Sequence, residues 1–388
     1  MPWTVAVSAD GPLRILVVAG GTAGHVAPAL EVAGVLAQRG CEVTWVGSAG
    51  RAEEDLVPAA GYELDLLPVT WLPRRPGLAQ VEALARSAAS LVVASRIIRR
   101  RRPDAILAAG GYVVAPVAPA ARLQRVPVVV TEADAHLGLA NRVAMRTAQR
   151  LCTTFPIPRH VLAQEVTGRP VAEAFFTTRR EEARRQLDLP ADDPVVAVVG
   201  GSGGARNLNE AAAAAWGSDA DPRVAGRPLH VIQVTGRRDW PDFRDVPACD
   251  RHRMVQYCTD MPALYAAADL VVSRAGASVF ELAASGTPAL LVPWRGATQD
   301  HQRANATSFA ATGAARMLED DHRLAGSVAA VVAELLAPEA VGELAAMRVA
   351  MRALGRRGAQ ERIAEIVLEY ACARRLRTTG TIPEGAAP

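Results

Sequence analysis

Two glycine-rich segments constrain the fold of this chain more than anything else in it. Gly20-Gly21-Thr22-Ala23-Gly24-His25 follows the apolar run Ile15-Leu16-Val17-Val18 and precedes a stretch of helical spacing from Pro28 to Arg39. Gly200-Gly201-Ser202-Gly203-Gly204-Ala205 follows an apolar run from Pro194 to Val199 and precedes a second helical stretch, Asn207 to Trp216. Each reads strand, glycine turn, helix, the opening of a parallel βαβ unit. The second loop begins 180 residues after the first, so the same architecture is laid down twice.

The rest of the chain agrees with that reading. Further strands are expected at Cys41 to Gly47, Asp104 to Ala108, Val128 to Thr131, Leu229 to Val234, Leu270 to Ser273 and Ala289 to Val292, with helices at Val81 to Arg100, Ser278 to Ser285 and Gln302 to Thr312. Alternation of this kind predicts an α/β fold of two Rossmann-like, doubly wound parallel-sheet domains. At 388 residues the chain is long enough for two cores. The expected division is a first domain over 1–160, a connector over 161–178 marked by Pro170 and Gly168, and a second domain over 179–345. A helix over 346–376 should return toward the first domain, followed by a frayed tail over 377–388. The active cleft is expected between the facing strand ends.

Composition excludes several function classes. All 43 basic residues are arginine, which rules out a lysine Schiff base and a Walker lysine. A formal charge of +3 is too small for a nucleic-acid partner, and the excess sits in residues 1–175, with 18 arginines against 14 acids. The 5 cysteines are scattered without C-x-x-C spacing, so no zinc site or disulfide framework is suggested and a reducing cytoplasm fits. No stretch reaches the ~18 unbroken apolar residues of a membrane span. The first 13 residues lack the pattern of a signal peptide.

A glycine turn at a strand end lets backbone approach a ligand and aims helix N-terminal N–H groups at negative charge. One such loop is as easily a tight turn, whereas two in equivalent places point to diphosphate recognition. His25 lies in the first loop and is a candidate general base; Glu132, just past a strand end, is the second, with Asp134 and His136 close by in sequence. The residues leave that choice open, and each also has a plain structural reading, a loop histidine and a turn-capping acid.

The motifs together resemble a known family. The first loop with Pro28, then Arg51, Glu53, Leu56, Pro58 and Gly61, then Gly110-Gly111-Tyr112-Val113 with Pro116, Glu132, and Gly138-Leu139-Ala140-Asn141-Arg142 follow the order found in the MurG family of bacterial UDP-N-acetylglucosamine transferases. So do the second loop with Arg206, Leu208-Asn209-Glu210, Asp260-Met261, Ser273-Arg274-Ala275-Gly276-Ala277, Glu281-Leu282, Asp300-His301-Gln302 and Asn305-Ala306. The resemblance runs from about residue 14 to 370.

It implies a GT-B fold and an inverting transfer of N-acetylglucosamine, or a related hexosamine or hexose, from a UDP-sugar. No cofactor and no metal are expected. The donor would be held by Gly21, Thr22, Gly201, Ser202, Gly203, Arg206, Tyr257, Cys258, Arg274, Gly276, Glu281, His301, Gln302 and Asn305. Within that set Glu281 would take the ribose hydroxyls, Cys258 the uracil edge, and the helix-face group His301, Gln302 and Asn305 the sugar. The acceptor, lipid-linked or a specialised metabolite, would meet Gly24, Tyr112, Asp134 and Asn141. Trp71, Leu72, Arg74 and Arg75, with the basic run Arg99 to Arg102, would touch an anionic membrane at the cytoplasmic face.

The sequence departs from the family in a few places. Thr131 replaces a His, Asp134 an Asn, and Ala172 an Arg that contacts donor phosphate; Arg169 is the residue positioned to restore that charge. The segment from Gly276 to Glu281 is about one residue short. An aspartate beside an anionic acceptor costs on the order of 1–3 kcal/mol if desolvated. This shifts the expectation from the peptidoglycan transferase itself toward a paralogue with a different acceptor. A hydrolysing UDP-N-acetylglucosamine 2-epimerase and a non-catalytic UDP-sugar-binding scaffold share the architecture and stand as rivals.

Overall fold

The computed structural model describes residues 11–69, 78–134, 137–157, 163–201, 203–217, 221–246, 249–297 and 300–379, with the backbone alone for residues 23 and 78–88. The chain divides into two compact units, with crossings at Pro170–Val171 and Arg357–Gly358.

The first unit is built from β1 (Arg14–Val18), α1 (Ala23–Gln38), β2 (Glu42–Ser48), α2 (Ala52–Ala59), β3 (Glu63–Leu67), α3 (Leu78–Arg101), β4 (Ala105–Ala108), α4 (Val114–Leu123), β5 (Val128–Glu132), α5 (Leu139–Ala144), β6 (Arg150–Thr153) and β7 (Gln164–Val166). Among the described residues its strands form one sheet in the order β3-β2-β1-β4-β5-β6-β7, paired in parallel throughout. Helices cover both faces of such a sheet, so its central strands need no polar alternation. Accordingly β4 is Ala-Ile-Leu-Ala, buried at every position, and Leu16, Val17 and Val18 of β1 have no exposed surface.

The second unit repeats the plan. After α6 (Ala174–Thr177) and α7 (Arg180–Gln186) come β8 (Val195–Val199), α8 (Arg206–Trp216), a two-stranded hairpin of β9 (Arg223–Val224) and β10 (Arg227–Pro228), β11 (His230–Val234), α9 (Trp240–Phe243), β12 (His252–Val255), α10 (Met261–Ala267), β13 (Leu270–Ser273), α11 (Ser278–Ser285), β14 (Ala289–Leu291), α12 (His301–Ala311), β15 (Ala315–Met317), α13 (Leu324–Leu335) and α14 (Val341–Leu354). Its main sheet runs β12-β11-β8-β13-β14-β15, again all parallel.

Both sheets reverse strand order beside their first strand, between β1 and β4 and between β8 and β13. The loops leaving those strand ends part to opposite faces, the usual ligand position in open α/β sheets. Each glycine loop sits at such a point.

The single C-terminal helix expected over 346–376 is two helices. α14 belongs to the second unit, and α15 (Ala359–Thr378) belongs to the first. There Ile363, Ile366, Val367 and Ala371 share a core with Val26, Ala29, Val32 and Leu36 of α1. Arg362 pairs with Glu165 at 2.6 Å, and Arg375 pairs with Asp104. The expected connector over 161–178 is also partly regular, since it contains β7 and α6.

Candidate active site

The first glycine loop leaves β1 and enters α1 with its geometry fixed by a buried carboxylate. Glu53, in the first turn of α2 and without solvent exposure, accepts from the Gly21 N–H at 3.0 Å, the Ser48 N–H at 2.8 Å and the Ser48 hydroxyl at 2.7 Å. Sequence reasoning saw Glu53 only as part of a motif, because an acid in a first helical turn ordinarily decorates the dipole. The bond has a consequence for Gly21, which was expected to donate to the diphosphate. Its amide is already spent on a carboxylate.

The loop after β4 closes on the first. Gly111 holds φ +87°, and a Cβ there would overlap the Gly20 backbone, so no other residue allows the two loops to meet. A Cβ at Gly110 would lie 2.7 Å from the His25 ring. His25 thus packs over bare backbone, with Nδ1 3.3 Å from the Thr22 hydroxyl. Solvent reaches the ring, yet the protein crowded around it holds its pKa below the ordinary 6.5. Desolvation is the main cause and the Arg169 charge the second, opposed by Asp134, the Gly20 carbonyl and Glu53. Arg169 is placed by a 2.5 Å bond to the Gly24 carbonyl. The histidine is therefore held neutral, the form that accepts a proton.

Glu132 is arranged differently. It is buried and takes hydrogen bonds from the Gly138 N–H at 2.9 Å, the Asn141 amide at 2.9 Å and the Asp134 N–H at 3.2 Å. Burial pushes its pKa up against those donors. Its oxygens are committed to the Asp134 and Gly138 amides and to the start of α5. Asn141, expected at the acceptor, is buried and donates to Glu132 and to the Thr131 carbonyl at 3.0 Å. Tyr112, by contrast, stands half exposed in the turn before α4.

In the second unit Gly204 has φ +89°, and a Cβ on it would overlap the Thr235 carbonyl and lie 2.6 Å from an Asp239 oxygen. Asp239 is buried and held by Asn209 at 3.1 Å and by Arg238 at 2.8 Å. Arg238 also reaches the Gly204 carbonyl at 3.2 Å. Arg237 lies over the Tyr257 ring, 5.3 Å from its centroid, and that ring is half exposed. Two arginines and an aromatic face therefore flank this loop. Sequence reasoning found Tyr257 but not Arg237 or Arg238, which carry no motif of their own.

Other expected donor residues fall into two groups. Arg206 is exposed and paired with Glu210 at 2.9 Å and Asp242 at 2.7 Å. Arg274 is buried against Asp320 at 2.8 Å and bonds the Val292 carbonyl at 3.1 Å. Both charges are answered within the unit. Asn305 is likewise buried, with its amide on the Ala275 carbonyl at 3.1 Å. Gln302 bonds the Trp294 N–H at 2.9 Å and lies beside Gly276. Glu281 occupies the first turn of α11, at the strand-order reversal beside Gly276. His301 begins α12. Cys258 is partly buried between β12 and α10, and burial raises its thiol pKa. Ser202, Trp71, Leu72, Arg74, Arg75 and His136 lie outside the described residues. Of the basic run, Arg100 pairs with Asp65 at 2.5 Å, and Arg101 pairs with Asp65 at 2.8 Å and with Glu63. Half of its charge is thus balanced. Among the described residues no helix by itself is long and apolar enough to cross a membrane, and no group of three or more His, Cys, Asp or Glu is set to hold a metal ion.

Comparison with known proteins agrees with this geometry. Residues 15–153 match the glycosyltransferase family 28 N-terminal domain and residues 195–363 its C-terminal domain. The chain is 36% identical to the UDP-N-acetylglucosamine–N-acetylmuramyl-(pentapeptide) pyrophosphoryl-undecaprenol N-acetylglucosamine transferase of Moorella thermoacetica, with 92% of this chain and 99% of the relative covered. MurG from Acinetobacter baumannii superposes with a TM-score of 0.71 at 27% identity, covering 92% of this chain and 99% of that one. A UDP-N-acetylglucosamine 2-epimerase superposes with a TM-score of 0.64 at 16% identity, covering 97% and 98%, a likeness of fold alone.

Proposed function

The chain belongs to glycosyltransferase family 28, and from that premise we propose that it transfers N-acetylglucosamine from UDP-N-acetylglucosamine to a hydroxyl of an undecaprenyl-diphosphate-linked acceptor. The anomeric carbon is inverted and no divalent metal takes part. The observation that carries the reading is His25, held neutral in a glycine loop at the strand-order reversal of the first sheet. We assign the ring proton to Nδ1, 3.3 Å from the Thr22 hydroxyl, which leaves Nε2 as the basic atom. It takes the acceptor hydroxyl proton as the new C1–O bond forms and the bond from C1 to the phosphate oxygen breaks. The leaving UDP carries off the electron pair. Its charge is answered by the N–H groups of the second glycine loop and by Arg237. Glu281 receives the ribose hydroxyls, and Gln302 and His301 the sugar.

The lipid-linked acceptor is preferred to a specialised metabolite because the relatives that match over nearly their whole length carry it in their names. The epimerase and scaffold readings have no comparable support. We place the reaction in the cytoplasm at the membrane face where such an acceptor is displayed. The test is to supply UDP-N-acetylglucosamine, a polyprenyl-diphosphate-linked N-acetylmuramyl-pentapeptide and EDTA. Release of UDP with a β-linked disaccharide-lipid is expected. N-acetylmannosamine from donor alone, or turnover lost to EDTA, would overturn the proposal.

A further inference from the structure

At the opposite end of the first sheet from the glycine loop lies a cavity of about 460 Å³ that the transfer reaction does not use. It opens where β1 and β4 begin, and where α3 and α15 end. Arg14, Arg99, Arg102, Arg374 and Arg375 line it with a single carboxylate, Asp104. That carboxylate is already occupied: it accepts the Arg14 backbone N–H at 2.8 Å and pairs with Arg375. Arg375 is also satisfied, by the Gly11 and Pro12 carbonyls at 2.7 and 2.8 Å. Among the described residues Arg374 holds only the Arg125 carbonyl, at 3.1 Å. The guanidinium groups of Arg14, Arg99 and Arg102 have no hydrogen-bond partner among the described residues.

Helix ends account for part of this charge. A helix C-terminus carries about half a negative charge, and three, those of α3, α4 and α15, approach the cavity, giving roughly −1.5. The lining side chains sum to +4, five arginines against one aspartate. A surplus of more than two positive charges is left facing one concavity. Burial and the neighbouring Arg14, Arg377 and Arg375 hold the Arg374 guanidinium below its usual basicity, against the pull of Asp104. Crowding of like charge in a hollow is relieved by an anion, and arginine forks match phosphoryl oxygens two at a time.

We propose that this cavity binds a phosphate-bearing anion at a site separate from the transfer centre. β1 alone puts about 15 Å between it and the first glycine loop. The ligand presents phosphoryl oxygens, either free in solution or on a lipid headgroup.

The experiment is thermal unfolding of the whole protein in saturating UDP, titrated with inorganic pyrophosphate at constant ionic strength against chloride. A saturable rise in Tm is expected. In R99Q/R102Q, which removes two exposed arginines, half-saturation moves up at least tenfold, on the order of one charged hydrogen bond lost, while the shift given by UDP stays as in the wild type. R14Q provides an independent second variant. Because the pyrophosphate response is compared between variants, it is read whether or not UDP binds. Displacement of pyrophosphate by phosphatidylglycerol vesicles supports the headgroup source, and indifference to them the soluble one. A response no larger than that of chloride, or one fully retained in R99Q/R102Q and R14Q, would overturn the site.

Discussion

The two glycine loops share a backbone plan and differ in what surrounds it. In the first unit a buried carboxylate, Glu53, takes the Gly21 amide, and the loop carries a titratable ring. In the second, Asp239 braces the loop through Asn209 and Arg238, and arginines border it. A negative group bonded to a loop amide discourages an anion at that spot. Arginines beside a loop invite one. On the proposed mechanism the same strand-turn-helix serves proton transfer in one unit and diphosphate binding in the other, and the difference lies in buried neighbours distant in sequence.

The sharpest way to break this contrast is H25A. If the first loop supplies the base, kcat falls by about 10²–10⁴ while the Kd for UDP, measured by calorimetry, is unchanged. Next comes D320A, which strands the buried Arg274 and should cost about 3–5 kcal/mol of unfolding free energy by denaturant titration. A smaller loss would show that water satisfies Arg274. G204A places a Cβ against Thr235 and Asp239 and should weaken UDP at least ~10-fold with a lesser effect on kcat, the reverse of H25A. The pH profile sharpens the comparison further. A base must be neutral, so activity is lost as pH falls through the His25 pKa, and the acid limb of kcat/KM should lie below 6.5. R169Q removes a positive neighbour and should move that limb upward. The smallest effect is expected for R206A, an exposed pair that should leave UDP affinity within about twofold.

Much of this was readable in advance, for physical reasons that can be named. β13 and α11 fall where expected, over Leu270–Ser273 and Ser278–Ser285, because an apolar run, a glycine turn and a helical period follow one another without ambiguity. β12 escaped notice because His252-Arg253-Met254-Val255 is an edge strand, half polar and only partly buried beyond its first residue. The helix break at 355–358 was hidden by a helical pattern that continues on both sides. The place of His25 in a glycine turn was legible because the loop is local. The Arg274–Asp320 pair was not legible because Asp320 comes 46 residues later, and a charge in a motif looks available until its partner is known. Glu53 likewise acts on an amide 32 residues before it.

The crossing at Arg357–Gly358 also bears on how the molecule comes off the ribosome. The segment Val171–Arg357 emerges with its sheet and covering helices complete, whereas the segment before it must wait for Ala359–Thr378 to lay Ile363, Ile366 and Val367 over α1. The earlier-made half is therefore the last to mature, and during that interval its unsheathed apolar flank is the part of the nascent protein most in need of a chaperone.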